Sequence, residues 1–272
     1  MESTSDYLME NKEEIERLER KTDRAALQRQ AAWAGLQPGM RVGDMGCGPG
    51  LTTRFLFEMA QPGGTAVGVD LSPERVAHAA AKYGTDGLTF VRHNLVKPLT
   101  GIGSFDFIWA RFMLEYNRGR AFEIVQNLTR LLNPGGILCL IDLDYNCLNH
   151  FEMPTPLMSA LRGIMRRLEE TADFDPYVGI KLYSFLYDLG FEAIDMTMAP
   201  HHLIFGQLKE VDAFNWTKKL EIAVVRSGYD FPEFAGGYRQ FAEEFQKFFA
   251  DPRRFTYTPL IACRGRRPGS LG

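Results

Sequence analysis

The sequence predicts one α/β domain built on a mostly parallel, doubly wound sheet of seven strands. Three observations carry that expectation. Short apolar runs of strand length alternate with stretches of helical spacing from residue 41 to about residue 145, the rhythm of strands joined by crossover helices. A glycine-rich turn, Asp44-Met45-Gly46-Cys47-Gly48-Pro49-Gly50, stands between the first apolar run and the first helical one. Residues 191–198 and 255–263 then read as a sixth strand and a returning, antiparallel seventh.

Taken in order, Ile15, Leu18, Thr22, Ala25, Leu27 and Trp33 give a loosely amphipathic helical start. Gln37-Pro38-Gly39 ends it in a turn. Strands are expected at 41–45, 66–70, 88–93, 105–110 and 136–142, with helices at 51–60, 73–83 and 118–132. The second helix carries its own start signal, Ser72 as cap and Pro73 as first helical residue. Asn133-Pro134-Gly135-Gly136 reads as a turn before the fifth strand. Beyond Asp144 the rhythm changes: helices at 156–170 and 178–189, the latter closed by Gly190, precede the sixth strand. About 45 residues rich in aromatic rings separate it from the last strand, and no Pro/Gly/Ser linker divides the chain.

Bulk properties exclude several functions. The 272 residues are 45% hydrophobic and 24% charged, a globular balance. A net charge of −3 offers no field for a polyanion, so nucleic acid is not an expected partner. The basic stretch Arg264 to Arg267 reads as a solvated tail. The N-terminus lacks the apolar core of a secretory signal, and no apolar run approaches the roughly 18–20 residues that span a bilayer. Cys47, Cys139, Cys147 and Cys263 show no metal spacing; reduced thiols in a cytoplasmic protein, with no metal and no membrane partner, are the expectation.

The glycine turn carries the chemistry. Glycines at alternate positions let the backbone bend and approach a ligand without a Cβ in the way, and the helix behind offers unpaired N–H groups to an anion. The dinucleotide fingerprint GxGxxG is not met, because Leu51 stands where its third glycine belongs. A second acid, Asp70, ends the apolar run Val67-Gly68-Val69, where a carboxylate can accept from both hydroxyls of a ribose. Phe90-Val91-Arg92-His93-Asn94-Leu95 and Phe105-Asp106-Phe107-Ile108-Trp109-Ala110-Arg111 follow at strand ends, and the Asn-Pro-Gly-Gly turn completes the series.

In order and spacing, these segments over residues 25–145 resemble class I methyltransferases, the small-molecule subgroup (type 11/25-like). The resemblance implies S-adenosyl-L-methionine as cofactor and the strand order 3-2-1-4-5-7-6. It also implies residue roles. Asp44 would anchor the loop and the methionine amino group, and Gly46, Cys47 and Gly48 would line the methionine. Asp70 would hold the ribose and Leu71 the adenine face. Asn94 and Leu95 would meet the adenine edge, and Ala110 and Arg111 would face the sulfonium. An N-terminal lid is implied too, with Tyr7 and Arg17 closing over the cofactor; Lys21 stands where an amide is usual. The chain then divides into lid helices at 1–35, a cofactor-binding core at 36–145, and a substrate-side half at 146–272 with a helical cap at about 206–252.

For the substrate side the candidates are Asp144, Tyr145, His201 and Glu115, with His150, His202 and Tyr116 as further polar groups near the expected mouth. In a strand His201 and His202 would point to opposite faces, so at most one would reach a pocket. The ten rings from Phe214 to Phe249 serve either as core or as the lining of a roomy apolar pocket. The expected function is in-line methyl transfer to an O, N or C atom of a small organic acceptor. A non-catalytic module that binds S-adenosylmethionine and an NAD-dependent oxidoreductase are the alternatives.

Overall fold

A computed structural model describes residues 23–269. The chain enters through α1 (Arg24–Ala34). Asp23 caps this helix by accepting from the Ala26 amide at 3.0 Å, and Gly35, at φ 100°, closes it. Then follow β1 (Arg41–Met45), α2 (Leu51–Met59), β2 (Thr65–Asp70), α3 (Pro73–Tyr83), β3 (Leu88–Arg92) and β4 (Phe105–Arg111). A 3-10 turn at Leu114–Tyr116 leads to α4 (Ala121–Arg130) and β5 (Leu132–Leu143). The second half holds β6 (Asn149–His150), α5 (Thr155–Thr171), a 3-10 turn at Val178–Lys181, α6 (Leu182–Asp188) and β7 (Glu192–Phe205). Two longer helices, α7 (Glu210–Ser227) and α8 (Gly237–Ala250), precede β8 (Phe255–Arg266).

The sheet runs β3-β2-β1-β4-β5-β8, with β6 and β7 both on β8. Strands β1 to β5 are mutually parallel, and β8 is antiparallel to its neighbours. The seven long strands thus follow the expected order, β7 and β8 standing as its sixth and seventh. The count of seven needs correction, because β6 is an eighth. β8 outruns β5: Leu143 pairs with Leu260, and after a loop Asn149 and His150 pair with Tyr257 and Thr256. The short strand therefore continues the line of β5 and covers an edge otherwise left open.

Other details depart from expectation. The Asn-Pro-Gly-Gly turn lies within β5 rather than before it. Leu132 already pairs with Phe105, and the register then jumps to Ile137 opposite Phe107, so residues 133–136 bulge out. Arg264 to Arg267 are not a loose tail. Arg264 Nη1 donates to the Ala34 carbonyl at 3.5 Å and Arg266 Nη1 to the Gly135 carbonyl at 2.8 Å, while Arg267 Nη1 binds the Leu132 carbonyl. The helix expected at 178–189 is broken into a 3-10 turn and α6.

Three apolar cores hold the elements. One packs α1 and α2 on a sheet face that includes Phe107 and Trp109, and another packs α4 and α6 on the opposite face. The third joins α5, α7 and α8. It consumes most of the ring-rich segment: Trp216, Phe231, Phe234, Phe241, Phe245 and Phe249 are buried against one another. Phe231 and Phe241 centroids lie 4.7 Å apart, and Phe245 stacks on Phe249 at 5.4 Å. The roomy-pocket reading of these rings is corrected accordingly; they fill their own core. Among the described residues no helix is long and apolar enough to cross a membrane.

Phe241 is fully buried in the third core, so Phe241→Ala should cost about 3–5 kcal/mol of stability. Urea denaturation with tryptophan fluorescence checks this; a loss well under 1 kcal/mol would mean that the helices do not pack as described.

Candidate functional site

In a parallel sheet, ligands gather at the carboxyl ends of the strands where the order reverses. Here that edge begins with the glycine turn after β1. Gly46 and Cys47 donate their amides to the Val69 carbonyl of β2 at 2.8 and 3.0 Å. Gly50, at φ 91°, caps α2, and a Cβ there would lie 2.6 Å from the Ala79 Cβ, so its absence lets α2 approach α3. Gly48 differs: a Cβ on it would meet nothing within 4 Å. Its backbone borders open space.

Asp70, at the end of β2, ties this turn in place. Its Oδ2 accepts from the Gly48 amide at 2.8 Å and its Oδ1 from the Ser72 amide at 2.9 Å. Ser72 in turn caps α3 by accepting from the Arg75 amide at 3.4 Å. Leu71 lies between them in sequence and is 44% exposed, an uncovered apolar side chain.

Asp44 is buried, and its Oδ2 accepts from Thr53 Oγ1 at 2.7 Å. Burial pushes its pKa up to about 7; Asp70 adds repulsion, while the Thr53 bond and Arg111 pull the other way. Arg111, at the end of β4, is lowered to about 10 chiefly by burial, against the attraction of Asp44, Asp142 and Asp23. Its Nε has no hydrogen-bond partner, and its guanidinium lies 4.1 Å from the Phe112 ring centroid. Cys47 is buried, and burial raises its thiol pKa well above the ordinary value. Ala110 is buried in the sheet and Leu95 in the core beside α4. Asn94 Oδ1 accepts from the Val96 amide at 3.0 Å, which shapes the turn after β3.

A second cluster stands at the ends of β4 and β5. Asp142, absent from the sequence-based candidates, accepts from the Leu114 and Glu115 amides at 2.9 and 3.2 Å and so fixes the 3-10 turn after β4. Glu115 is buried, and its Oε2 accepts from Asn146 Nδ2 at 2.8 Å. Burial drives its pKa up to about 7, opposed first by Lys219 of α7. Burial, with Glu115 adding repulsion, holds Asp142 well above the carboxylate range. Asp144 is buried and raised by burial, and its Oδ1 has no partner. Tyr145 is half exposed, at φ 45°, and its ring meets Tyr177 edge-on at 5.1 Å.

The structure thus brings together Asp44, Gly46, Cys47, Gly48, Asp70, Leu71 and Arg111, and separately Glu115, Asp144 and Tyr145. His201 belongs to neither cluster. Its ring rests on Phe112 at 5.3 Å and on His202 at 4.0 Å. The strand alternation expected for this pair fails because the register of β7 shifts between His201 and Ile204, and His202 takes φ 50°. His150 is structural: it bonds Thr256 Oγ1 at 2.8 Å and the Cys147 carbonyl at 3.0 Å, and burial lowers it to about 4. Tyr7, Arg17 and Lys21 lie outside the described residues. Sequence reading missed Thr53, Asp142, Asp175 and Tyr177. Only Asp142 left a signal, since Asp142 and Asp144 alternate along one strand face.

Comparison with known proteins agrees with this geometry. Residues 44–138 match a methyltransferase domain family. Over those residues the chain is thus similar to a methyltransferase domain, and its fold as a whole is that of the solved structures below. An uncharacterized methyltransferase of Synechocystis is 36% identical over 110 residues, covering 40% of this chain, and the chain spans only 49% of that relative. The YcgJ protein of Bacillus subtilis superposes with a TM-score of 0.61 at 17% identity, over 91% of this chain and 100% of that one. Phosphoethanolamine N-methyltransferase 2 of Haemonchus contortus, solved with S-adenosyl-L-methionine, gives 0.56 at 14% identity, over 90% and 52%.

The Asp44 carboxyl stays protonated to about pH 7 in the folded protein but ionises near 3.8 when exposed. The folded state therefore binds the extra proton between those values, and that contribution to stability is lost as pH rises from about 4 to 7. Asp44→Asn should remove the loss, so the mutant gains on the parent across that window by on the order of 1 kcal/mol or more. Urea denaturation at pH 4.5 and 8 measures it; parallel curves would overturn the assignment.

Proposed function

We propose that the chain is an S-adenosylmethionine-dependent methyltransferase acting on a small or medium-sized organic acceptor by in-line transfer. The observation that carries this reading is the pair of buried carboxylates, Asp44 and Asp70, flanking a glycine turn whose Gly48 borders open space. Asp44 has only a hydroxyl for a side-chain hydrogen-bond partner, so a ligand ammonium there would add a direct counter-charge to the pull of Arg111. Asp70 keeps lone pairs free beyond its two amide bonds, enough to accept from ribose hydroxyls. Leu71 suits an adenine face, with Asn94 and Leu95 toward its edge. The Arg111 Nε without a partner suits the methionine carboxylate better than the cationic sulfur, and Ala110 would face the sulfur through its backbone.

When bound, the cofactor supplies a methyl group on a positively charged sulfur. The protein's task is then to align the acceptor, exclude water and, where the acceptor carries a proton, remove it. Of the four candidate groups, Glu115 is best tuned for that removal, since a pKa of about 7 leaves it able to take a proton at neutral pH. Asp144 and Tyr145 suit acceptor binding, and His201 stands apart with Phe112. The described chain starts at Asp23, close enough to Arg111 to favour its charge. A lid role for Tyr7 and Arg17, which lie outside the described residues, is part of this reading. The division proposed is lid at 1–35, cofactor core at 36–145 and substrate-side half from 146, its helices at about 206–252 packed against α5.

Calorimetry with S-adenosylmethionine, S-adenosylhomocysteine and NAD tests the reading. Both sulfur ligands should bind and NAD should not, and Asp70→Ala should weaken the sulfur ligands by about tenfold or more, some 1.4 kcal/mol. Binding of NAD alone would overturn the proposal in favour of a dinucleotide enzyme. Binding without methyl transfer to any acceptor in a broad screen would favour a non-catalytic module.

A further inference from the structure

The acceptor side carries more information than its list of carboxylates. Asp144 is 5% exposed, and its Oδ1 has no hydrogen-bond donor. A buried carboxylate oxygen left without a donor is costly, and native structures nearly always supply one. The neighbouring charges do not supply it. Lys181 and Asp175 lie near Asp144, but Lys181 Nζ is engaged by Asp175 Oδ2 at 2.5 Å, and the Tyr177 amide donates to Asp175 Oδ1 at 3.0 Å. When Asp144 is ionised, Asp144, Asp175 and Lys181 together leave one negative charge over, and Asp144 is the member with a free oxygen.

Two further features surround that oxygen. The Tyr145 and Tyr177 rings meet beside Asp144, and aromatic faces attract cations. The Asp144 amide donates to the Pro259 carbonyl at 3.0 Å, extending the β5–β8 ladder one step beyond Leu143 and Leu260. Residues opposite one another in a ladder share a face, so Asp144 lies on the face of Pro259 and, across β8, of Pro200. On that face is an open groove of about 210 Å³ lined by Met198, Ala199, Pro200, Tyr257 and Pro259. A carboxylate lacking a donor and two aromatic rings thus stand at the end of β5, linked to an apolar groove through the Asp144–Pro259 backbone bond.

We propose that this methyltransferase holds its acceptor by an ammonium group seated on Asp144 and Tyr145, with the acceptor's apolar body in the groove between β7 and β8. The inference rests on the methyltransferase reading above and adds the acceptor's class to it. An ammonium both donates hydrogen bonds to Oδ1 and balances the surplus charge, which an alcohol or amide does not. It is a handle only: a protonated nitrogen has no lone pair, so the atom that takes the methyl is another group of the same molecule or the nitrogen after its proton has left.

The test uses the full chain saturated with S-adenosylhomocysteine and three matched probes: phenethylamine, 2-phenylethanol and 3-phenylpropanoate. Calorimetry or ligand-observed NMR should show phenethylamine binding at least about tenfold tighter than either other probe. Asp144→Asn should reduce that preference to about threefold or less, with S-adenosylhomocysteine affinity and melting temperature held. Tyr145→Leu, at a half-exposed position, should lower amine affinity a few-fold and serves as the second variant. The inference is overturned if the alcohol or the carboxylate binds as well as the amine. It is equally overturned if the loaded protein takes no amine, or if the preference survives in a folded Asp144→Asn. If S-adenosylhomocysteine itself does not bind, the methyltransferase reading fails and takes this inference with it.

Discussion

The Asp70 carboxylate accepts from the Gly48 amide at 2.8 Å and from the Ser72 amide at 2.9 Å, joining the turn after β1 to the turn after β2. Each bond is charge-assisted and sheltered from water, the setting in which such bonds count most. Through them the glycine turn is held open at Gly48 and α3 starts where Ser72 can cap it. The same turn is anchored from behind by the Gly46 and Cys47 amides on the Val69 carbonyl. A site that must present backbone amides to a ligand needs this stiffness, because a floppy turn would lose affinity to the cost of ordering it.

Around that fixed point the protein accumulates buried carboxylates. Asp44, Asp70, Glu115, Asp142, Asp144 and Asp175 are all buried, and they stand at or next to the carboxyl ends of β1, β2, β4 and β5. The cations within reach, Arg111, Lys181 and Lys219, are fewer. The imbalance appears as carboxyl groups pushed upward: burial raises Asp44 and Glu115 to about 7 and Asp142 well above the ordinary carboxylate range. Such an arrangement lowers the stability of the ligand-free fold, and strain of this kind concentrates at functional sites rather than in structural cores. A ligand with positive charge relieves it.

Most of the core fold was legible in the sequence because its signals are local. Residues 41–45 and 73–83 were read at the bounds the structure gives, since the apolar run, the Ser72 cap and Pro73 sit within a few residues of one another. The places of Asp44, Gly48 and Asp70 in the fold were legible for the same reason: each lies at or beside the junction of a strand and a turn. What escaped depends on distant pairing. β6 exists only because β8 is long enough to offer Tyr257 and Thr256 to it. Arg264 and Arg266 looked like a solvated tail until strand pairing brought them beside Ala34 and Gly135. His201 and His202 were assigned by alternation, and a register shift in β7 cancelled it. Asp175 and Tyr177 sit in a loop with no pattern of their own.

The helical layer sharpens the distinction between the two halves of the site. Most of its rings are spent on one another. What the layer contributes is Lys219, carried by α7 to within reach of Glu115, and the packing that holds Tyr116 and Tyr177 against the third core. Any shift of α7 would therefore change the charge state of Glu115 without touching the glycine turn. The proposed cofactor half is built from one strand–turn–helix unit and its neighbour, stiff and self-contained. The proposed acceptor half draws on β5, β7, β8 and the loop at 173–177, four segments far apart in sequence. That separation is why the glycine turn could be read locally in the sequence and the segments of the second half could not.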